Sequence, residues 1–141
     1  AISTAQLLPN AEIVVITTPQ AAAADVAERA GSIAVQTQQR IVGVIENMSW
    51  LTQADGTKLE LFGSGGGETV AERLTETLGS PVDVIGQVPL DVAAGVGSDA
   101  GVPIVLSDPE SPAAAVITDI ARQLTKRSRG LAGRSLGISP L

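Results

Sequence analysis

The sequence predicts an α/β domain on a mostly parallel sheet, and three observations carry that prediction. Three β-branched apolar runs, EIVVITTP (12–19), RIVGVIEN (40–47) and VDVIGQVPLD (82–91), are separated by stretches with helical patterning. The runs are apolar on both faces, as strands covered by helices on either side are. Phe62 and Trp50 are the only aromatics, so the core must be Ala, Val, Ile and Leu, which suits helices packed on a parallel sheet. At 141 residues and 44% hydrophobic content the chain fits one domain.

The run at 12–19 ends at Pro19 and reads as a central strand. QAAAADVAERAGSIAVQTQQ (20–39) forms helix readily, with Ala24, Ala27, Ala30 and Ile33 or Ala34 on one face. Gly31 costs up to about 1 kcal/mol there relative to Ala, so the helix is expected to be able to break at that point. RIVGVIEN completes a βαβ unit with a right-handed crossover. In LTQADGTKLEL (51–61), Asp55-Gly56 predicts a two-residue hairpin with a type I′ turn. FGSGGGETVAERLTETLG (62–79) reads as a glycine loop opening an amphipathic helix. Val70, Leu74 and Leu78 share one face, Glu68, Glu72 and Glu76 another, and Gly79 is the stop. The third strand, 82–91, is expected to end at Pro89.

VAAGVGSDAGVPIVLSDPES (92–111) reads as a connection with at most one short helical turn. A last helix follows through PAAAVITDIARQLTKR, capped by Ser111 or Asp108 with Pro112 in its first turn. Its expected core positions are Ala115, Ile117 or Thr118, and Leu124. The division expected is an α/β domain over 1–125 and a basic, flexible tail over 126–141. Three parallel strands are few for a doubly wound sheet, and unpaired apolar strands are an aggregation hazard. Sheet partners are therefore expected from a longer polypeptide or a second copy. The start at AISTAQLLPNAEIVV, mid-element and without Met, favours the former.

The formal charge of −6 argues against a general nucleic-acid binder, although Arg122, Lys126, Arg127, Arg129 and Arg134 cluster near the C-terminus. With no Cys and no His, disulfides, thiolate or imidazole metal sites, and Ser-His-Asp triads are excluded. No apolar run reaches the roughly 20 residues of a membrane span, and no signal-peptide pattern opens the chain, which together predict a cytoplasmic protein.

Gly63, Gly65, Gly66 and Gly67 precede a helix, where backbone N–H groups and the helix dipole favour an anion. A P-loop, however, needs G-x-x-x-x-G-K-[ST], and the residue after these glycines is Glu68, which repels phosphate. The cluster reads better as a flexible or tightly packed loop. Two strand tips are more informative, ENMS (46–49) and VPLD (88–91), because ligands of open α/β sheets bind beyond the carboxyl ends of strands. The Asn47 amide can pair with the acceptor and donor edges of a purine, beside an apolar Pro89-Leu90 surface. No carboxylate pair has the spacing of general acid–base chemistry.

At these residues the sequence resembles the Mrp family, MinD/ParA-related ATPases with a deviant Walker motif that are linked to iron–sulfur cluster assembly or carriage. VVITTPQ, GVIENMSW, FGSGGGE, GQVPLD and GVPIVLSDPESPAA occur in the family's order, across residues 3 to 124. The resemblance implies part of a P-loop NTPase-like doubly wound sheet, three parallel strands plus a short hairpin, with helices on both faces. It implies a homodimer that binds and hydrolyses ATP with Mg, and an iron–sulfur client. It assigns Asn47 to adenine contact and Pro89, Leu90 and Asp91 to a segment wrapping the base. The family's phosphate loop, catalytic and switch segments lie upstream of the stretch matched here, so ATP hydrolysis is expected of a longer protein and not of this chain alone. Many members carry Cys-x-x-Cys after NMS. Here that stretch is WLTQADGTKLEL, and without Cys or His this chain supplies no ordinary Fe–S ligand. Two other readings stand beside this one: a non-catalytic protein-interaction module, and a MinD/ParA-type positioning ATPase.

Overall fold

The computed structural model describes residues 2–20 and 22–128. The elements are α1 (Ile2–Leu7), β1 (Ile13–Thr17), α2 (Ala23–Thr37), β2 (Ile41–Thr52), β3 (Lys58–Leu59), α3 (Gly66–Leu78), β4 (Val84–Leu90), α4 (Val92–Asp99), α5 (Ile104–Ser107) and α6 (Pro112–Ser128). β2 is the middle strand and pairs in parallel with β1 on one side and β4 on the other. β3 adds antiparallel to the far end of β2, with Leu51 opposite Leu59 and Thr52 opposite Lys58.

α2 and α3 cover one sheet face and α6 covers the other alongside β4. The core between the sheet and α2–α3 is Val15, Ala27, Ala34, Ile41, Val44, Val70, Ala71, Leu74 and Val82. Val44, Val70 and Leu74 are completely buried, each worth about 1.5–3 kcal/mol of transfer free energy. α2 does not break at Gly31. A Cβ there would sit 3.3 Å from Thr77 Cγ2 and 3.5 Å from Leu74 Cδ2. The glycine thus lets α2 pack closely on α3, and that packing offsets its poor helix propensity.

Four further elements differ from expectation. β1 is an edge strand, pairing with β2 alone among the described residues, and Ile16 is 62% exposed. Apolar patterning reports what a strand can bury, not what lies beside it. The hairpin loop is longer than a type I′ turn: Gln53 N–H donates to Thr57 C=O and Gly56 N–H to Gln53 C=O, and Gly56 has φ 83° while Asp55 does not have positive φ. A three-residue loop with the left-handed residue at its third position fits β2 and β3 at this register. β4 runs through Pro89, which an edge strand tolerates because one side needs no N–H donors. Between β4 and α6 lie two helices, α4 and α5, where at most one short helical turn is expected from the sequence.

α6 begins as its sequence predicts. Pro112 is its first residue and Ser111 Oγ accepts the Ala114 N–H at 3.1 Å. Its buried face, however, is Ala113, Ala114 and Ile120, and Ala115 and Ile117 are exposed. The phase is set by Gly86, whose missing side chain leaves the space that Ile120 fills. α6 continues through Ser128, so the expected boundary at 126 falls inside a helix, and the tail from 129 to 141 lies outside the described residues.

Candidate functional site

The carboxyl ends of the parallel strands meet at the tip of β2. Thr17 of β1 lies opposite Glu46, and Asn47 lies opposite Val88 of β4. Beyond Asn47 the β2–β4 register slips before Leu51 pairs with Leu90. Met48 sits in this irregularity with φ 61°, an uncommon value for a non-glycine residue. Asn47 Oδ1 accepts the Met48 N–H at 2.9 Å. The Asn47 side chain is exposed, and among the described residues its NH2 group has no hydrogen-bond partner.

Successive residues of a strand face opposite ways. Asn47, Ile45 and Val88 line a cleft of about 230 Å³ on the α6 side, completed by Ile16, Ile117 and Ile120. It is an apolar slot with one amide at its rim, a composition that suits a flat heterocycle: apolar contact on the faces, directional hydrogen bonding at an edge.

Glu46 faces the other way and is 1% exposed. Its Oε2 accepts the Gly67 N–H at 2.7 Å, and its Oε1 accepts from Gln87 Nε2 at 3.1 Å. The glycine loop is the counterpart of this arrangement. Gly65 is the left-handed N-cap of α3 with φ 81°. Gly66 lies on the backbone of Thr18 and Pro19, where a Cβ would be 2.8 Å from Pro19 Cα, and Gly67 lies on Glu46, where a Cβ would be 2.9 Å from its Cβ. Of the two expected readings the packed loop holds. The Gly67 N–H at the α3 terminus is already given to a carboxyl oxygen, and Glu68 adds a second acid beside it, so these residues do not fit a phosphate group or its Mg²⁺.

The other sequence-derived residues are distributed around the tip. Pro89 is buried and is not among the residues lining the cleft. Leu90 is half-buried opposite Leu51, and Asp91 Oδ1 accepts the Ala93 N–H at 2.8 Å, capping α4. Sequence reasoning missed Glu46, although a lone acid inside an apolar strand was the available signal. It also missed Ile16, Ile45, Ile117 and Ile120, which three separate elements, β1, β2 and α6, bring together. Beyond the tip, the β2–β3 hairpin carries Lys58 Nζ 3.7 Å from the Trp50 ring centroid. No helix among the described residues is long and apolar enough to cross a membrane.

Residues 1–125 match the family described as NUBPL iron-transfer P-loop NTPase (ParA). The chain is 60% identical over 140 residues to an iron–sulfur cluster carrier protein of Mycobacterium tuberculosis (strain ATCC 25618 / H37Rv), covering 99% of this chain and 37% of that protein. An iron–sulfur cluster carrier protein of Synechocystis is 39% identical over 121 residues, covering 84% of this chain and 33% of that one. The chain therefore spans about a third of the length of the curated relatives it matches. Among solved structures, a nucleotide-binding protein of Archaeoglobus fulgidus in complex with ADP superposes with a TM-score of 0.56 at 27% identity, over 71% of this chain and 39% of that one. The septum site-determining protein MinD of Pyrococcus horikoshii, complexed with Mg-ADP, gives 0.59 at 19% identity over 84% and 42%, a likeness of fold. The parallel sheet with helices on both faces, the ordered strand tips and the match over residues 1–125 place this chain in the ParA family of NUBPL-type iron-transfer P-loop NTPases.

Proposed function

We propose that this chain forms the base-recognition end of an ATP site in a longer ATPase that serves iron–sulfur cluster assembly or carriage. The observation that carries the reading is the exposed Asn47 amide at the carboxyl end of β2, on the rim of the apolar cleft. Its NH2 group is free to donate to a purine ring nitrogen, and Oδ1 keeps a lone pair for an exocyclic amine. Pro89, Leu90 and Asp91 follow Val88 beside it and supply backbone groups, with Asp91 fixing the turn into α4. The ADP complex of the Archaeoglobus fulgidus neighbour supports a nucleotide as ligand.

Phosphate, Mg²⁺ and hydrolysis fall to other segments of the longer protein, because α3, the one glycine-opened helix among the described residues, has its terminus occupied by Glu46. An iron–sulfur cluster is cargo in this reading, and a chain without Cys or His contributes no thiolate or imidazole to hold it. Homodimer formation belongs to the same proposal and is supported by Val92, Val96 and Leu106, apolar side chains at least two-thirds exposed on α4 and α5.

The test begins with the coding DNA upstream of Ala1. An in-frame Gly-Lys-Gly-Gly-Val-Gly-Lys-Ser stretch is expected. Titration calorimetry on the full gene product then compares ATP binding by wild type and Asn47→Ala. A loss of about tenfold is expected, the worth of a hydrogen bond near 1.4 kcal/mol. Unchanged affinity overturns the assignment of Asn47.

A further inference from the structure

We infer that Glu46 is a positioning residue for Asn47: its carboxyl group ties the β2 tip to α3 and thereby aims the neighbouring amide into the cleft. The inference rests on the base-recognition reading and goes beyond it by naming the residue that sets the geometry.

Glu46 is among the largest fully buried side chains in the molecule, and both of its oxygens are engaged, by Gly67 N–H at 2.7 Å and Gln87 Nε2 at 3.1 Å. A carboxylate at a helix N-terminus interacts with the aligned peptide dipoles as well as with the N–H. α3 is thirteen residues long and is anchored in the core by Val70 and Leu74, so the clamp is fixed to a rigid body. The backbone carbonyl of the same residue accepts from Ser49 Oγ at 3.0 Å, and Ser49 is itself buried. Glu46 is thus held at its side chain and at its carbonyl, and the carbonyl belongs to the peptide unit that leads to Asn47.

The backbone needs that hold. Met48 has φ 61°, and a non-glycine residue in the left-handed region persists where its surroundings over-determine it. Asn47 stands between the clamp and this strained residue, and among the described residues its side chain makes just the local hydrogen bond, accepting from Met48 N–H. Opposite faces of one strand do separate tasks here: Glu46 fixes the strand, and Asn47 presents the amide. Gln87 completes the link from β4, directly opposite Glu46 in the register, so the two strand tips that flank the cleft move as one.

The experiment measures, on the full gene product, the ratio of Kd for GTP to Kd for ATP, with thermal unfolding of each variant in parallel. Purine discrimination reports the aim of the amide, and a uniform loss of fold stability leaves the ratio unchanged. Asn47→Ala is expected to lower the ratio about tenfold, and Glu46→Ala about three- to tenfold. Glu46→Gln keeps the shape and an acceptor for Gly67, so it is expected to stay within about twofold of wild type. Gln87→Ala, at an exposed residue that leaves the core filled, is expected to lower the ratio in the same direction even where Glu46→Ala does not fold. The double variant Glu46→Ala/Asn47→Ala is expected to fall no lower than Asn47→Ala alone, as coupled residues do. If Asn47→Ala lowers the ratio while Glu46→Ala and Gln87→Ala leave it at the wild-type value, the positioning role is overturned and base recognition stands. If Asn47→Ala itself leaves the ratio unchanged, base recognition is overturned and the positioning role with it.

Discussion

Ile120 of α6 fills the space in which Gly86 of β4 would carry a side chain; a Cβ there would lie 2.6 Å from Ile120 Cγ1 and collide with its Cδ1. Helix and strand meet at this point with no room between them. Gly86→Ala must push α6 outward or force Ile120 off its rotamer, and overpacking of this kind costs about 1–3 kcal/mol. Urea unfolding is expected to show a lower midpoint at unchanged slope. Gly86→Ala/Ile120→Val, which relieves the crowding, is expected to recover part of the loss.

Gly67→Ala tests the opposite face of the sheet. The new methyl would lie 2.9 Å from Glu46 Cβ, an atom close to the backbone that cannot swing aside. The expected destabilisation is again about 1–3 kcal/mol, read from the same unfolding curves. A wild-type midpoint would mean that the α3 terminus is free to move away from β2.

Ser111 caps α6 through the Ala114 N–H while buried at the edge of the fold. Ser111→Ala leaves that N–H without its partner and is expected to cost about 0.5–2 kcal/mol. Ser111→Asp restores an acceptor and is expected to lose less. Equal stability of all three proteins would remove the cap from the account of this helix.

Asp55 provides a pH-dependent readout at the hairpin tip. Its carboxyl group accepts from the Thr57 hydroxyl at 2.6 Å and from the Thr57 N–H at 2.9 Å. The hydroxyl first, and then the N–H, hold its pKa below the ordinary 3.8. Both bonds favour the charged form, so whatever they add to stability is complete above pH 3.8 and is lost as the pH falls through the lower folded-state value. Carboxyl-carbon NMR titration is expected to place the midpoint below 3.8 and to move it back up in Thr57→Val. Identical midpoints in the two proteins would contradict the hydroxyl as the main cause.

The strands, α2, α3 and the cap of α6 are legible in the sequence because each follows from local chemistry: β-branched runs, helical spacing, Gly79 after Leu78, and Pro112 after Ser111. Features that depend on contacts between distant residues are not legible in this way. The buried face of α6 is decided by Gly86, on another element, so spacing alone favours Ala115 and Ile117 over Ala113 and Ile120. α4 is hidden by its glycines, and is started by Asp91, whose capping bond is visible once β4 is known to end there. Asn47 is legible as a strand-tip amide. Its neighbour Glu46 is not, because the N–H that satisfies it is twenty-one residues away.

The alternation of Glu46 and Asn47 also decides where this gene tolerates changes of length. Removing or adding one residue within 41–46 would exchange the two side chains between faces, placing an amide at the α3 terminus and an acid in the apolar cleft. The same change within 53–57 lengthens or shortens a loop that touches neither. Single-residue insertions are therefore expected to be tolerated at the hairpin tip and to unfold or inactivate the protein between Ile41 and Asn47, which expression and thermal unfolding of the two kinds of variant would check.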